Sequence, residues 1–499
     1  MKKLSKFIII AAVAVSGCSK SYFDINVNPN SPSSASVDLV LANALKTSAG
    51  FQNTTFQTVS EWMNFWAPSG SYALNSSDGA SYKQTTDFGD GIWTAFYRNL
   101  EDYQYVEQTA TANNQYFYIA AAKTMKAMMF SELVDLFNNV PYTEALQGTA
   151  NLLPKYDKGL AIYTALSTEL GAAVTLFQRA DATAIIGEDV LFGTSAGGTA
   201  ANENPNWAKF ANTLRLRLLI RQTEIPARAA YIQTEVNKII ANGSGFLTAD
   251  AAVNPGYSNS SGKTNPFWGF SYSLAGGYTQ DFWRAGKFII TFSVAHNDPR
   301  YTRWYAPIGN GTYVGCVVGS QANPTGGLSS VFGPGVLKSV SQSAPILTAA
   351  ESFFLQSEAI LRGFLAGSDA TMFSNGVQAN FTFLGAGSSA TYTSQAGDKE
   401  VNYAACVTFN EKLNCINRQK FLAMNSITPL EAYADYRRLF YLGLPFVTSV
   451  PISIHPNIDN PPTIPIRFSY PTSEFQTNLA NVSNEGVISY HTSKVFWQQ

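Results

Sequence analysis

Residues 115–137 read QYFYIAAAKTMKAMMFSELVDLF, and they decide the fold. Ala122, Met125, Met129, Leu133 and Leu136 recur at intervals of three and four, which puts them on one face of an α-helix. Ala120, Ala121 and Ala127 are small enough for a neighbouring helix to approach closely. Asn138, Asn139 and Pro141 break the pattern. The same spacing predicts helices over 36–50, 93–108, 156–180, 207–223, 227–242, 349–366, 369–384, 402–424 and 429–442. Two long stretches interrupt them, 51–91 and 243–345, where periodicity gives way to Gly, Ser, Asn, Pro and aromatic residues. The tail from Pro445 is proline-rich and reads as irregular. The fold class is mainly α, with helix pairs carrying long irregular aromatic-rich loops. Loops longer than about 15 residues in a compact domain are usually functional, so the ligand site is expected there.

The N-terminus carries different information. Lys2, Lys3 and Lys6 precede nine apolar residues, Phe7 to Val15, too few for the roughly 20 that a bilayer span needs but suited to a signal-peptide core. The run ends in Val15-Ser16-Gly17-Cys18, which resembles the lipobox of bacterial lipoproteins, where the cysteine thiol is acylated and the chain is cut before it. Residues 1–17 therefore read as a lipoprotein signal peptide and Cys18 as the lipid attachment site. Asn28-Pro29-Asn30 and Ser31-Pro32 disfavour helix, so 18–35 reads as an extended tether, and 36–499 as a single domain. The chain is expected to be exported and held at a membrane by lipid.

Composition narrows the function. Charged residues make up 13% of the 499, against about 25% in typical soluble domains, and the net charge is −1. No basic field suggests nucleic acid. Polarity comes from Asn, Ser, Thr and Gln beside 25 Tyr, 33 Phe and 8 Trp, a mixture suited to neutral hydroxyl-rich or amide-rich ligands. Cys406 and Cys415 could pair across the eight residues between them, which export would permit, leaving Cys316 free. The three histidines stand at no zinc-site spacing from the cysteines, and no cofactor is implied.

Catalytic motifs are weak. Gly193-Thr194-Ser195-Ala196-Gly197 matches G-x-S-x-G, but no helix can start promptly after it, as a nucleophile elbow requires. Gly262-Lys263-Thr264 lacks the glycine that a phosphate-binding loop needs at 257, which is Tyr257. His296, Asp298 and Arg300 read as a turn element. Glu351, Glu358 and Arg362 read as helix ion pairs rather than the facing carboxylates of a glycosidase. Arg437 and Arg438 point about 100° apart and read as pairing internally rather than binding an anionic ligand. An enzyme is not expected.

Several segments resemble, in order, the SusD/RagB family of nutrient-binding outer-membrane lipoproteins, in its SusD-like branch. DINVNPNSP resembles the start of that branch. VDLFNNVPYTEALQG with LPKYDKGLAIYTALSTEL resembles its helix-loop-helix passage. WAKFANTLRLRLLIR resembles its Asn-and-Arg helix at Asn212, Arg215, Arg217 and Arg221, and AAESFFLQSEAILRGF its acidic helix at Glu351 and Glu358. EAYADYRRLFYLGLP carries Asp435-Tyr436-Arg437-Arg438, and PIRFSYPTSEFQTN resembles the terminal motif Arg-x-x-Tyr-Pro-x-x-Glu-x-x-x-Asn. The resemblance implies a tetratricopeptide-like helix-pair scaffold, an oligosaccharide or, as the alternative, an oligopeptide ligand, and delivery to a SusC-like TonB-dependent barrel at the outer membrane. A surface glycoside hydrolase and a purely structural surface lipoprotein are the competing classes. Trp62, Trp66, Tyr72, Trp268, Tyr272, Trp283 and Trp304 sit in loops beside Asn, Ser and Gly, so they are the expected ligand-stacking residues.

Overall fold

The computed structural model describes residues 35–73, 78–184, 189–193 and 203–499. Cys18, the signal peptide, all but the last residue of the tether and the G-x-S-x-G stretch beyond Gly193 lie outside the described residues.

The described chain is mainly helical. Its longer helices are α1 (Val37–Gly50), α2 (Asp90–Ala112), α3 (Tyr116–Phe137), α4 (Gly159–Phe177), α5 (Glu203–Ile220), α6 (Ala229–Ala241), α7 (Lys287–Ala295), α8 (Ala349–Leu361), α9 (Asp369–Leu384), α10 (Phe409–Ala423) and α11 (Pro429–Leu439). From α1 to α5 each helix packs on the next, while α8 packs against both α9 and α10. The strands are short: β1 (Trp66–Pro68), β2 (Val140–Pro141), β3 (Tyr156–Asp157), β4 (Ala251–Val253), β5 (Trp283–Ala285) and β6 (Ala344–Leu347). They pair antiparallel as β1 with β5, β2 with β3 and β4 with β6.

Helix α3 forms as its spacing predicts, but it buries more than one stripe. Phe117, Met128, Phe130 and Val134 are buried as well as Met125, Met129, Leu133 and Leu136. A helix buried all round belongs to the centre of a large core. Ala120 and Ala121 are fully buried, which fits the close approach of α2 and α4. The helix stops at Asn138, held at φ 71°, a positive φ that asparagine adopts more readily than most residues.

Several expected limits change; the helix expected over 349–366, for one, ends at Leu361. Tyr156 and Asp157 form β3 instead of opening a helix: Pro141 pairs with Tyr156, and Asp157 accepts from the backbone N–H groups of Tyr142 and Thr143. Helix α10 begins at Phe409, not 402, because Thr408 and Glu411 make a reciprocal capping box. The 243–345 stretch is not wholly irregular, since it contains α7.

Helices α3, α5, α8, α10 and α11 meet at a buried ion network. Arg217 grips Glu351 with two bonds of 2.7 and 2.9 Å. Arg221 reaches Glu431 at 2.5 Å, Asp435 at 3.1 Å and Asp135 at 3.4 Å. Arg438 holds Glu358 at 2.7 and 2.9 Å, and Lys420 holds Asp435 at 2.8 Å. The helix acids therefore serve internal pairing, as expected of Glu351, Glu358 and Arg438. Arg437 instead donates to the carbonyls of Asp135 and Ile466, tying the tail to α3. Two aromatic groups extend that clamp: Tyr470 donates to the Asn139 carbonyl, and the Trp497 indole to Asp135 at 2.8 Å. Asp298 pairs with Arg300 at 2.7 Å in full burial, and His296 with Asp398 at 2.6 Å, so this segment is structural. Cys316, Cys406 and Cys415 are buried free thiols, and the Cys406–Cys415 bridge that the sequence permits is not formed.

Candidate ligand-binding site

The two long insertions meet through β1 and β5, where Trp66 pairs with Ala285 and Pro68 with Trp283. Stretches some 200 residues apart are thus zipped side by side, and what emerges from that seam is the candidate site. Beyond β1 the chain turns tightly. Ser69 donates through its backbone N–H to the Phe282 carbonyl and through its hydroxyl to the Asp281 carbonyl, both at 2.8 Å. Gly70 N–H donates to Pro324, and a Cβ at this position would lie 1.9 Å from the Asn323 carbonyl oxygen, so glycine is required there.

Of the seven expected stacking residues, the structure removes four. Trp62, Trp66 and Trp304 are fully buried, and Trp283 is 6% exposed. Trp62 lies among Phe88, Tyr433 and Phe468, with its indole N–H on the Gly79 carbonyl at 3.0 Å. Trp66 is the hub of Phe267, Phe270, Trp283 and Phe332, and its N–H donates to Ser426 at 2.8 Å. Trp283 donates to Gln57 at 2.6 Å, and Trp304 lies beneath the Arg300 guanidinium. These rings pin the loops to the scaffold and offer no face to a ligand. A sequence signal existed for Trp62 alone: Val59 and Trp62 are three apart, and both are buried on the short helix Gln57–Trp62, whereas Trp66 lies on β1 beyond that helix.

The remaining three reach solvent. Tyr72 is 43% exposed and meets the partly exposed Phe282 edge-on at 4.9 Å. Trp268 and Tyr272 are partly exposed and stacked, with centroids 4.4 Å apart and planes 18° apart. Tyr278 closes on Tyr272 edge-on at 5.1 Å. The short helix Pro266–Ser271 sets the stacked pair one turn apart. Asn265 caps it by accepting from Trp268 N–H at 3.0 Å, and Pro266 is pre-shaped for the first turn. Phe282 was missed by sequence reasoning. Successive residues of an extended segment point to opposite faces, so with Trp283 inward Phe282 is free to face outward.

A cleft adjoins each of these two ring groups, which are together called the ridge. One, of about 190 Å³, is lined by Tyr72 with Ser69, Gln321 and Asn323. The other, of about 300 Å³, is lined by Tyr278, Gln280, Asp281 and Arg284. The Asp281–Arg284 pair at 2.5 Å neutralises its own charge, so both clefts present mainly amides, hydroxyls and ring edges. Burial pushes the Tyr278 phenol up, against the nearby Arg284, so it stays protonated as a neutral group.

The matches with known proteins agree with this architecture. The family model SusD-like_2, described as "Starch-binding associating with outer membrane", matches residues 29–471. The chain belongs to the SusD-like family. A SusD homologue from Bacteroides fragilis superposes with a TM-score of 0.73 at 20% identity, covering 93% of this chain and 100% of that one. A chitin-binding SusD homologue from Flavobacterium johnsoniae gives 0.73 at 20% identity, over 92% and 98%. A SusD-like protein from Bacteroides thetaiotaomicron gives 0.72 at 20% identity, over 93% and 99%. No curated protein matches the chain. SusD-like proteins are outer-membrane-associated binding proteins on a tetratricopeptide-like helical scaffold, and this chain has that scaffold. At such identities the structural likeness speaks for the fold.

Proposed function

We propose that this SusD-like protein captures a neutral oligosaccharide on the ridge formed by Tyr72, Phe282, Trp268 and Tyr272 and delivers it to a TonB-dependent barrel in the outer membrane. The observation that carries this reading is that two ring pairs near the seam of the two insertions, Tyr72 with Phe282 and Trp268 with Tyr272, reach solvent beside clefts bordered by amides and hydroxyls with a self-neutralised ion pair. Aromatic faces stack on the apolar faces of sugar rings, while amides and hydroxyls meet the hydroxyls around them. A charged ligand would find no unpaired opposite charge in these two clefts. The relatives' names mention starch and chitin, so malto- and chitooligosaccharides are the first probes.

In this reading residues 1–17 are the signal, Cys18 carries the lipid, 18–35 form the tether and 36–499 form the binding domain, which has no catalytic role. Calorimetric titration with chitohexaose and maltohexaose tests it, and saturable binding of either without bond cleavage is expected. Silence toward both, with saturable heat from a neutral oligopeptide, would overturn the glycan reading in favour of peptide capture.

A further inference from the structure

The loop 338–343 anchors the ridge, because Asn265 donates to the carbonyls of Val340 and Gln342 and caps the helix that carries Trp268. The same loop walls a separate cleft of about 960 Å³, at the upper end of the range for ligand sites. Its other walls come from residues 248–252 and from α8 and α9, and it shares no residue with the two clefts beside the ridge.

Some of its polar groups are already employed. Gln342 accepts from the backbone N–H groups at 338 and 339 and donates to the Val336 carbonyl, while Gln378 holds Ser389 and Gly387. They build the walls. Asp250 is different: one carboxylate oxygen accepts from Ala349 N–H at 2.8 Å, leaving the other for a ligand. The Lys338 ammonium rests 4.0 Å from the centre of the Phe383 ring, and Phe353 and Asn375 complete the lining. The cleft walls push the Asp250 carboxyl up, opposed by the Ala349 N–H and by Lys338. They push the Lys338 ammonium down, opposed by Asp250.

We propose that this cleft is a second binding site for a neutral glycan, in which Asp250 and Lys338 grip adjacent hydroxyls of one sugar while Phe353 or Phe383 packs against its ring. A hydroxyl both donates and accepts, so a carboxylate and an ammonium can hold one diol between them. The two charges cancel, so a neutral ligand satisfies both, whereas an anion meets Asp250 and a cation meets Lys338. The site rests on the glycan reading of the ridge and extends it, giving one chain two grips on a long polymer.

The test is calorimetric titration with chitotriose and maltotriose, probes too short to engage both sites together. The wild-type protein is expected to bind two molecules per chain. The Asp250→Asn/Lys338→Met variant should weaken one of the two sites at least about tenfold, leaving the ridge site and the melting temperature unchanged, and Asn375→Ala should act in the same direction. A Tyr72→Ala/Trp268→Ala variant should lose the other site and keep this one. One molecule per chain, with Asp250→Asn/Lys338→Met indistinguishable from wild type, overturns the second site and leaves the ridge standing. Absence of binding by either trisaccharide or hexasaccharide overturns both.

Discussion

Replacing Arg221 by methionine keeps most of the side-chain volume and removes one buried charge. That guanidinium is the cation shared by Glu431 at 2.5 Å, Asp435 at 3.1 Å and Asp135 at 3.4 Å, and all four side chains are at most 7% exposed. Breaking a buried pair from one side costs about 3–5 kcal/mol, because the partner charge is left uncompensated. Here Lys420 and Arg438 still hold Asp435, and Arg217 lies 3.4 Å from Glu431, so the charge left without an ion-pair partner is chiefly Asp135, which keeps only the neutral donors Tyr163 and Trp497. A loss of about 3–4 kcal/mol is therefore expected. An unfolding entropy of about 2.1 cal/mol/K per residue gives roughly 1 kcal/mol/K for a chain this long, so the melting temperature should fall by only about 3–4 °C. Urea unfolding read by circular dichroism is the better assay. Adding Asp135→Asn should recover part of the loss, since it removes the unpaired charge. The deficit of Arg221→Met should also shrink as pH falls and the orphaned carboxyl takes up a proton. A deficit under about 1 kcal/mol, or strict additivity with Asp135→Asn, would refute the view that this network holds α3, α5 and α11 together.

The other expectations are briefer. Burial pushes Glu132 up to about 8, against a hydrogen bond from Gln52, so the folded protein holds a proton there that the unfolded chain releases near 4.5. Its contribution to stability is complete below pH 4.5 and fades as pH rises through 8; Glu132→Gln should flatten that stretch of the stability–pH curve, and an unchanged slope contradicts the assignment. Burial raises Glu358, but Arg438 and Arg362 outweigh it and hold the carboxyl near 2, so its contribution is present above 4.5 and lost toward pH 2. Thr408→Ala removes one half of the capping box and should cost about 1 kcal/mol in denaturant unfolding, whereas Thr408→Ser should cost little. Trp66→Ala should cost about 3–5 kcal/mol through the lost core ring and leave glycan affinity unchanged in the protein that still folds; weakened affinity with stability intact would return Trp66 to the ligand site.

Much of the scaffold was legible because apolar spacing is local. Met125, Met129 and Leu133 need no distant partner to specify a helix, and the limits of Asp369–Leu384 follow from Ser368 as its cap and Gly385 just past its end. What was not legible depends on distant chain. Tyr156 reads as helix until β2 pairs with it, and nothing local tells a ring in a loop whether a remote strand will cover it. Trp66 and Tyr72 are six residues apart with similar neighbours, yet β5 and the Phe267–Phe332 cluster enclose the first and leave the second in solvent. Helical spacing from Val59 carried that information for Trp62, on the helix Gln57–Trp62, but not for Trp66, on β1. The ion network was half legible: paired acids and bases on helices were evident, but the meeting of Arg221 with Asp135 across 86 positions was not.

The claim at the centre of this account is that sugar stacks on the exposed ridge, and tryptophan accessibility tests it most directly. All eight tryptophans lie among the described residues; seven are buried and Trp268 alone is partly exposed. Acrylamide should therefore quench one accessible fraction of the emission, and Trp268→Phe should remove it. Saturating chitohexaose or maltohexaose, whichever binds calorimetrically, should protect that fraction. Full quenching of Trp268 in the presence of a saturating, calorimetrically verified glycan would contradict the ridge as the binding site.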